Sequence, residues 1–203
     1  MPTQFSGEPR TAWLTEPGAD RCMELLEDFW FLDGSGHEWR APRSTKVDGA
    51  SIPRALWTLV GSPYTGEYRR ASIVHDVACV AAGAGDSPAR RRADKMFFEA
   101  CRAGGCSRRD AIILYVGVRI GAWYGEALTE QVRGPRISRV ETEELAARDF
   151  QDVADAVLAG GETDDVEQLE ARTDAAWQGV AARRAAAGRA RSAATAAASQ
   201  PLR

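Results

Sequence analysis

The sequence predicts a mainly helical α+β fold, with a small N-terminal β-hairpin, a three-helix core and a helical C-terminal extension. Residues 28–42, DFWFLDGSGHEWRAP, place an aromatic run, a Gly-rich turn and a short return in succession, which is typical of a hairpin. Residues 68–128 contain three helical patterns separated by short turns. Residues 141–158 and 164–185 favour two further amphipathic helices that are exposed to solvent.

The three central helices have recognisable ends. The first is predicted over 68–82 and is closed by the GAG that follows it. The second opens at Ser87 and Pro88, a capping residue followed by a proline at the first helical position. The third opens at Ser107, which forms an acidic variant of the capping box with Asp110 three residues later. Because the turns are short, we expect neighbouring helices to pack antiparallel.

Charge is distributed unevenly along the chain. Between Glu141 and Asp174 there are twelve acids and two arginines, whereas five arginines and no acid occur from Arg183 onward. The low complexity from about Ala181 predicts a disordered end. We divide the chain into three parts: an N-terminal arm (1–24), a core domain (25–136) and an Ala/Arg-rich helical extension (137–203).

Composition excludes several classes of protein. With 44% apolar residues, 27% charged residues and a net charge of -3, the chain is typical of a soluble protein, and we expect no nucleic-acid partner. The most apolar run, Ala111–Gly125, is too short to span a membrane and contains Arg119. The N-terminus lacks the layout of a signal peptide, so we expect a cytoplasmic protein. Four cysteines without CxxC spacing predict free thiols and no zinc site.

The stretch ASIVHDVACV carries the best functional clue. On a helical wheel its polar side chains form one stripe, Ser72, His75, Asp76 and Cys79, beside a broad apolar face. On the second helix, Asp94 falls on the packed side. An antiparallel arrangement of the two helices therefore predicts that the Asp94 carboxylate faces the His75 imidazole.

These positions suggest chemical roles. A carboxylate that accepts a hydrogen bond from one ring nitrogen of His75 leaves the other nitrogen able to take a proton from water. Asp76, about 100° further around the helix, points toward the loop before the helix, where backbone carbonyls would complete an oxygen-rich set that suits Ca²⁺. A purely structural network is equally open, since Asp94 can pair with Arg90 or Arg91 one turn back. Cys79 as a nucleophile is a weaker alternative.

Two resemblances add to this interpretation. The succession KVDGASIPRALW, GSPYTGEYRRASIVHD and RRRADKMFFEA resembles a family of uncharacterised phage and prophage proteins, classed only as a domain of unknown function, over roughly residues 25–128. More distantly, a glycine-containing loop, a helix with an HD pair and an antiparallel helix with a buried aspartate resemble the catalytic core of phospholipase A2.

The second resemblance implies a role for each matching residue. His75 would be the base that activates water, Asp94 the residue that orients it, and Asp76 a calcium ligand together with loop residues including Gly61 and Gly66. Where phospholipases have a tyrosine four residues after the histidine, this chain has Cys79, so one hydrogen bond to the aspartate is lost. The loop GSPYTG also departs from their usual calcium loop.

Three hypotheses follow. The first is a Ca²⁺-dependent phospholipase A2-like esterase that contacts a lipid interface through aromatic residues such as Trp57, Tyr64 or Tyr68. The second is a non-catalytic phage structural or assembly protein whose C-terminal helices bind other phage proteins, either in the host cytoplasm or in a virion. The third, ranked last, is a metal phosphohydrolase with four ligands: His37, His75, Asp76 and Asp149.

Overall fold

A computed structural model describes residues 2–15, 22–48, 66–83, 85–130 and 139–198. Over these residues the protein is mainly helical with small antiparallel sheets, which confirms the predicted fold class. The described strands are β1 (Gln4–Phe5), β2 (Thr11–Trp13), β3 (Met23–Leu25), β4 (Phe29–Leu32), β5 (Glu38–Ala41) and β6 (Lys46–Val47). The described helices are α1 (Arg69–Ala82), α2 (Pro88–Ala103), α3 (Arg108–Glu130), α4 (Arg139–Ala159) and α5 (Val166–Ala198).

The predicted hairpin is confirmed as the pair β4–β5, with Phe29 opposite Ala41 and Leu32 opposite Glu38. Strand β1 adds to the other side of β4, so the first sheet has the order β1-β4-β5. A second three-stranded sheet, in the order β2-β3-β6, was not predicted. Its strands are only two or three residues long, too short for a period-two pattern to be recognised in the sequence.

The helix ends follow the predicted capping chemistry. The Ser87 hydroxyl accepts a hydrogen bond from the Arg90 backbone N–H at 3.1 Å, and Pro88 occupies the first turn of α2. The Ser107 hydroxyl accepts from the Asp110 N–H at 3.0 Å and donates to the Asp110 carboxylate at 2.6 Å. Helix α1 ends at Gly83, whose φ of +78° is the left-handed conformation that favours glycine.

The low-complexity stretch from Ala181 is helical, since helix α5 continues to Ala198. The disordered end stays a prediction, because residues 199–203 lie outside the described residues. Alanine and arginine are both strong helix formers, so a low-complexity run of them extends a helix at little cost in free energy. The predicted domain boundary near 136 lies outside the described residues, and the three-part division of the chain stays a prediction.

One hydrophobic core joins the sheets to the helices. Phe29 and Phe31 of β4 and Leu25 of β3 are buried against α1 and α2, and Tyr115 of α3 is fully buried in the same cluster. Helix α5 packs on the outside of α2 and α4, where Trp177 stacks on Trp123 of α3 with ring centroids 4.6 Å apart. Tyr115, Trp123 and Tyr124 of α3 are all buried. None of the described helices is long and apolar enough to cross a membrane.

We predict that Phe31→Ala lowers the free energy of unfolding by about 3–5 kcal/mol, because a fully buried aromatic ring is removed and a cavity remains. Urea denaturation followed by circular dichroism measures this loss. The matched control is Val80→Ala, at a helical position that is 85% exposed, which should change stability by less than about 0.5 kcal/mol. Equal effects of the two substitutions would contradict the assignment of Phe31 to the core.

Candidate functional site

The centre of the candidate site is a hydrogen bond between two adjacent helices. Nε2 of His75, on α1, lies 2.7 Å from Oδ1 of Asp94, on α2, and both side chains are fully buried. The helical-wheel prediction that these two residues face each other is therefore confirmed. The Phe97 ring lies against the imidazole with centroids 4.6 Å apart. With Nε2–H donating to Asp94, Nδ1 is the nitrogen that carries the lone pair in the neutral ring.

Two arginines hold the same carboxylate. Nε of Arg90, one turn earlier on α2, donates to Asp94 Oδ1 at 2.9 Å, and Nη1 of Arg119, on α3, donates to Asp94 Oδ2 at 3.1 Å. Asp94 therefore pairs with both partners considered from the sequence, His75 and Arg90. The three donors compensate the desolvation of the carboxylate, which costs several kcal/mol when it is unpaired.

Arg119 connects this cluster to the C-terminal helix. It is fully buried, and its Nη2 donates to Asp86 Oδ1 at 2.8 Å and lies 3.7 Å from Asp174 Oδ1, on α5. Arg91 bridges the same two acids, at 2.5 Å from Asp86 and 2.6 Å from Asp174. Asp94, Arg119, Asp86, Arg91 and Asp174 thus form a chain of charges from the core to α5, here called the buried ion network.

Opposing effects set the protonation of the central pair. Burial lowers the pKa of His75, but the Cys79 sulfur and the hydrogen bond to the Asp94 carboxylate outweigh it and raise that pKa to about 9. Burial raises the pKa of Asp94, but His75, Arg90 and Arg119 outweigh it and hold that pKa below its usual value. At neutral pH the pair is therefore an imidazolium beside a carboxylate.

Cys79 completes a compact cluster. Its sulfur lies 3.3 Å from Nε2 and 3.7 Å from Nδ1 of His75, one turn earlier on the same helix. Among the described residues, His75, Cys79 and Asp94 are the one group of three or more metal-ligating side chains with donor atoms close enough to share an ion, all within 4.8 Å of one another. Both arginines on Asp94 oppose a cation there by direct charge repulsion.

Asp76 lies on another side of α1. Its side chain is buried, and its Oδ2 accepts a hydrogen bond from the backbone N–H of Asp48 at 3.1 Å, just after β6. The carboxylate therefore points toward the start of the segment that follows β6. The predicted approach of Asp76 to the loop before α1 stays a prediction, because most of that loop lies outside the described residues.

Of the predicted calcium ligands, the structure describes Asp76 and Gly66. The Gly66 carbonyl accepts from the Arg69 N–H at 3.3 Å, and Arg69 to Asp76 spans roughly 10 Å along the helix axis. Gly61 lies outside the described residues, as do Trp57 and Tyr64. Asp76 alone supplies one or two of the six to eight oxygens that Ca²⁺ requires. The Ca²⁺ set of Asp76, Gly61 and Gly66 stays a prediction.

The four-ligand phosphohydrolase hypothesis is wrong for the described residues. His37 lies at the turn of the β4–β5 hairpin, with its ring against Trp39 at 4.8 Å, and is absent from the His75 cluster. Asp149 instead pairs with Arg184 and accepts a hydrogen bond from Tyr124 at 2.8 Å. Tyr68 is also buried, so it does not offer the exposed lipid contact considered from the sequence.

Sequence reasoning missed Arg119 and Asp174 as partners of the site. A signal for Arg119 was present, because a single arginine inside a 15-residue apolar run must be buried with a counter-charge. Asp174 lies in the segment 164–185, which the sequence predicts as an amphipathic helix exposed to solvent. Nothing in the local pattern distinguishes its inward-facing members from the others, since contact with α2 and α3 alone decides which acids are paired.

The fold and the site define a mainly helical α+β protein with a buried histidine–carboxylate pair at its centre. Residues 23–118, which include His75 and Asp94, match the family described as "Protein of unknown function (DUF1353)". The matched segment ends just before Arg119. The ion pairs through which Arg119 joins the site to α5 therefore lie outside the matched residues.

Two curated relatives come from Sinorhizobium fredii (strain NBRC 101917 / NGR234). The chain is 36% identical over 113 residues to "Uncharacterized protein y4jT", which covers 55% of this chain and 31% of that protein. It is 34% identical over 104 residues to "Uncharacterized protein y4iH", which covers 50% of this chain and 41% of that protein. The chain therefore spans less than half the length of either relative. No solved structure matches the chain.

We predict that Arg119→Met destabilises the protein by about 3–5 kcal/mol, because Asp94 and Asp86 each lose a buried counter-charge. Urea denaturation measures the change. Arg109→Met, at the exposed second residue of α3, is the matched control and should cost less than about 0.5 kcal/mol. If Arg119→Met unfolds at the wild-type urea concentration, the buried ion network contributes nothing to stability.

Stability should also depend on pH through His75. Its folded-state pKa of about 9 lies above the ordinary value of about 6.5, so the pair stabilises the fold fully below pH 6.5 and progressively less as pH rises through 9. The loss between pH 6 and pH 10 is on the order of 3 kcal/mol. Urea midpoints over this range for wild type, His75→Gln and the control His37→Gln measure it. Only His75→Gln should flatten the dependence.

Proposed function

We propose that this protein is a hydrolase of phospholipid esters in which His75, held by Asp94, acts as the general base. The observation that carries the proposal is the 2.7 Å hydrogen bond from Nε2 of His75 to Asp94 across the α1–α2 pair. This bond fixes the ring orientation and leaves Nδ1 as the acceptor for a proton from water. The resemblance of the HD helix and its antiparallel partner to phospholipase A2 gives the substrate class.

The pKa of His75 sets the condition under which it can act. A base must be unprotonated, and a pKa of about 9 leaves the imidazole mostly charged at pH 7. Hydrolysis should therefore increase as pH rises toward 9. A cation bound at the neighbouring Asp76 would lower the pKa of His75 and shift this increase to lower pH. Calcium held by Asp76 together with Gly61 and Gly66 is part of the proposal.

A second candidate is a non-catalytic scaffold, such as a phage structural or assembly protein. Two observations favour it: His75 has no exposed surface, and Asp94 is held by two arginines as well as by the histidine. An ion network of this kind stabilises the fold, and that role is sufficient to explain why His75 is paired with Asp94. In this candidate α4 and α5 provide the surface for partner proteins.

Hydrolysis and calcium binding separate the two candidates. We expect the wild-type full chain to release fatty acid from phosphatidylcholine in mixed micelles with millimolar Ca²⁺, and His75→Gln to lose at least about a hundredfold in rate. His37→Gln, which changes the other histidine, should retain the wild-type rate. Calorimetric titration should show Ca²⁺ binding that is lost in Asp76→Asn and retained in Asp155→Asn, at an exposed position.

Each variant is first checked for folding by circular dichroism and urea denaturation, so that loss of rate is separated from loss of structure. Equal rates for wild type and His75→Gln would refute the esterase. Absence of both fatty-acid release and calcium binding in the wild type would leave the scaffold as the function of the His75–Asp94 pair.

A further inference from the structure

A groove on the molecular surface lies apart from the His75 cluster. It consists of two adjoining hollows, of about 340 Å³ and 380 Å³. Both are lined by His37 and Trp39 of the hairpin and by Arg92 of α2, so these three side chains mark the junction. Each hollow has the size of a small-molecule site. His75 lines neither of them.

The hollow of about 340 Å³ is mainly aliphatic. It runs between β5 and α1. Its lining includes Glu38 and Arg40 of β5, which pair with each other, and small side chains of α1 and α2: Val74, Val77, Ala78, Ala81, Ala82 and Ala89. Alanines leave a narrow slot where larger residues would fill the space. The adjacent Val80 is 85% exposed, so the apolar surface of α1 continues outside the slot. A slim apolar chain matches this half of the groove.

The other hollow is polar and carries both signs of charge. Arg92 is exposed and makes no hydrogen bond or ion pair within the part of the chain that the structure describes, whereas Lys95 is paired with Glu167 at 2.9 Å. Glu99, two turns further along α2, uses Oε2 to accept from the Gly34 N–H at 2.8 Å. Within the described residues, an unpaired guanidinium therefore stands at the junction of the hollows, with the Glu99 carboxylate further along α2.

We propose that this groove binds a zwitterionic lysophospholipid. The single acyl chain lies in the aliphatic slot, and its phosphate pairs with the Arg92 guanidinium, which is suited to bidentate phosphate recognition. The ammonium group faces Glu99 and the faces of the His37 and Trp39 rings, which attract cations. The order of slot, free cation and carboxylate along the groove matches the order of chain, phosphate and ammonium in such a lipid.

The size of the slot favours a ligand with one acyl chain, because a volume of about 340 Å³ lies at the lower end of the range for drug-sized ligands. Binding in this groove is independent of the proposed hydrolysis, because none of the groove residues named here belongs to the His75 cluster. A failure of one proposal therefore leaves the other to be judged by its own measurement.

The test is isothermal titration calorimetry of the wild-type full chain with lauroyl-lysophosphatidylcholine below its critical micelle concentration. We expect saturable binding of one lipid per chain. Arg92→Gln should weaken binding about tenfold or more, because a charge-assisted contact with phosphate is lost. Ala81→Phe should abolish binding by filling the slot, and it is tolerated by the fold because Ala81 is exposed.

Matched controls change the same residue types elsewhere. Arg109→Gln and Ala103→Phe, both at exposed positions outside the groove, should bind as the wild type does. Urea denaturation confirms that all four variants are folded. Absence of saturable binding by the wild type would overturn the proposal, and so would equal weakening by Arg92→Gln and Arg109→Gln.

A second copy of the chain is the competing occupant of the groove. Size-exclusion chromatography with light scattering distinguishes self-association from lipid binding. A dimer that is dissociated by Ala81→Phe but not by the lipid would assign the groove to self-association and overturn the lipid proposal. A monomer that binds the lipid supports it.

Discussion

The structure depends on how the buried carboxylate of Asp94 is satisfied. Donors from three helices converge on it: His75 from α1, Arg90 from α2 and Arg119 from α3. Removing any one leaves charge uncompensated in a place that water does not reach, so the three helices can be fully packed in only one arrangement. Arg119 then extends the constraint through Asp174 to α5. An ion pair therefore links the core to the C-terminal helix.

The same interaction has opposite consequences for catalysis and for stability. A carboxylate that orients an imidazole is what a general base requires, and Asp94 provides it. Yet its charge also favours the imidazolium, which is not a base, and His75 is fully buried. A substrate can contact Nδ1 only if the residues that cover the ring move. This balance between orientation and access distinguishes a working His–Asp pair from a purely structural one.

Local patterns predicted a large part of the fold and the centre of the site. Hairpin β4–β5 followed from its Gly-rich turn, and the starts of α2 and α3 followed from Ser87 and Ser107, because turn and cap preferences act over a few residues. The pairing of His75 with Asp94 followed from helical periodicity and a short connection. The sheet β2-β3-β6 did not, since its strands join segments distant in sequence and carry no periodic signal of their own.

By itself the sequence determined the helix pattern, the capped ends and the face on which each polar residue of α1 and α2 lies, because these depend on neighbours within one or two turns. Only the tertiary structure decided that Arg119 and Asp174 belong to the buried ion network, that Asp76 contacts the Asp48 backbone and that His37 lies apart from His75. Each of those outcomes depends on which elements pack together. The energy of a buried charge is set by partners that the local sequence does not contain.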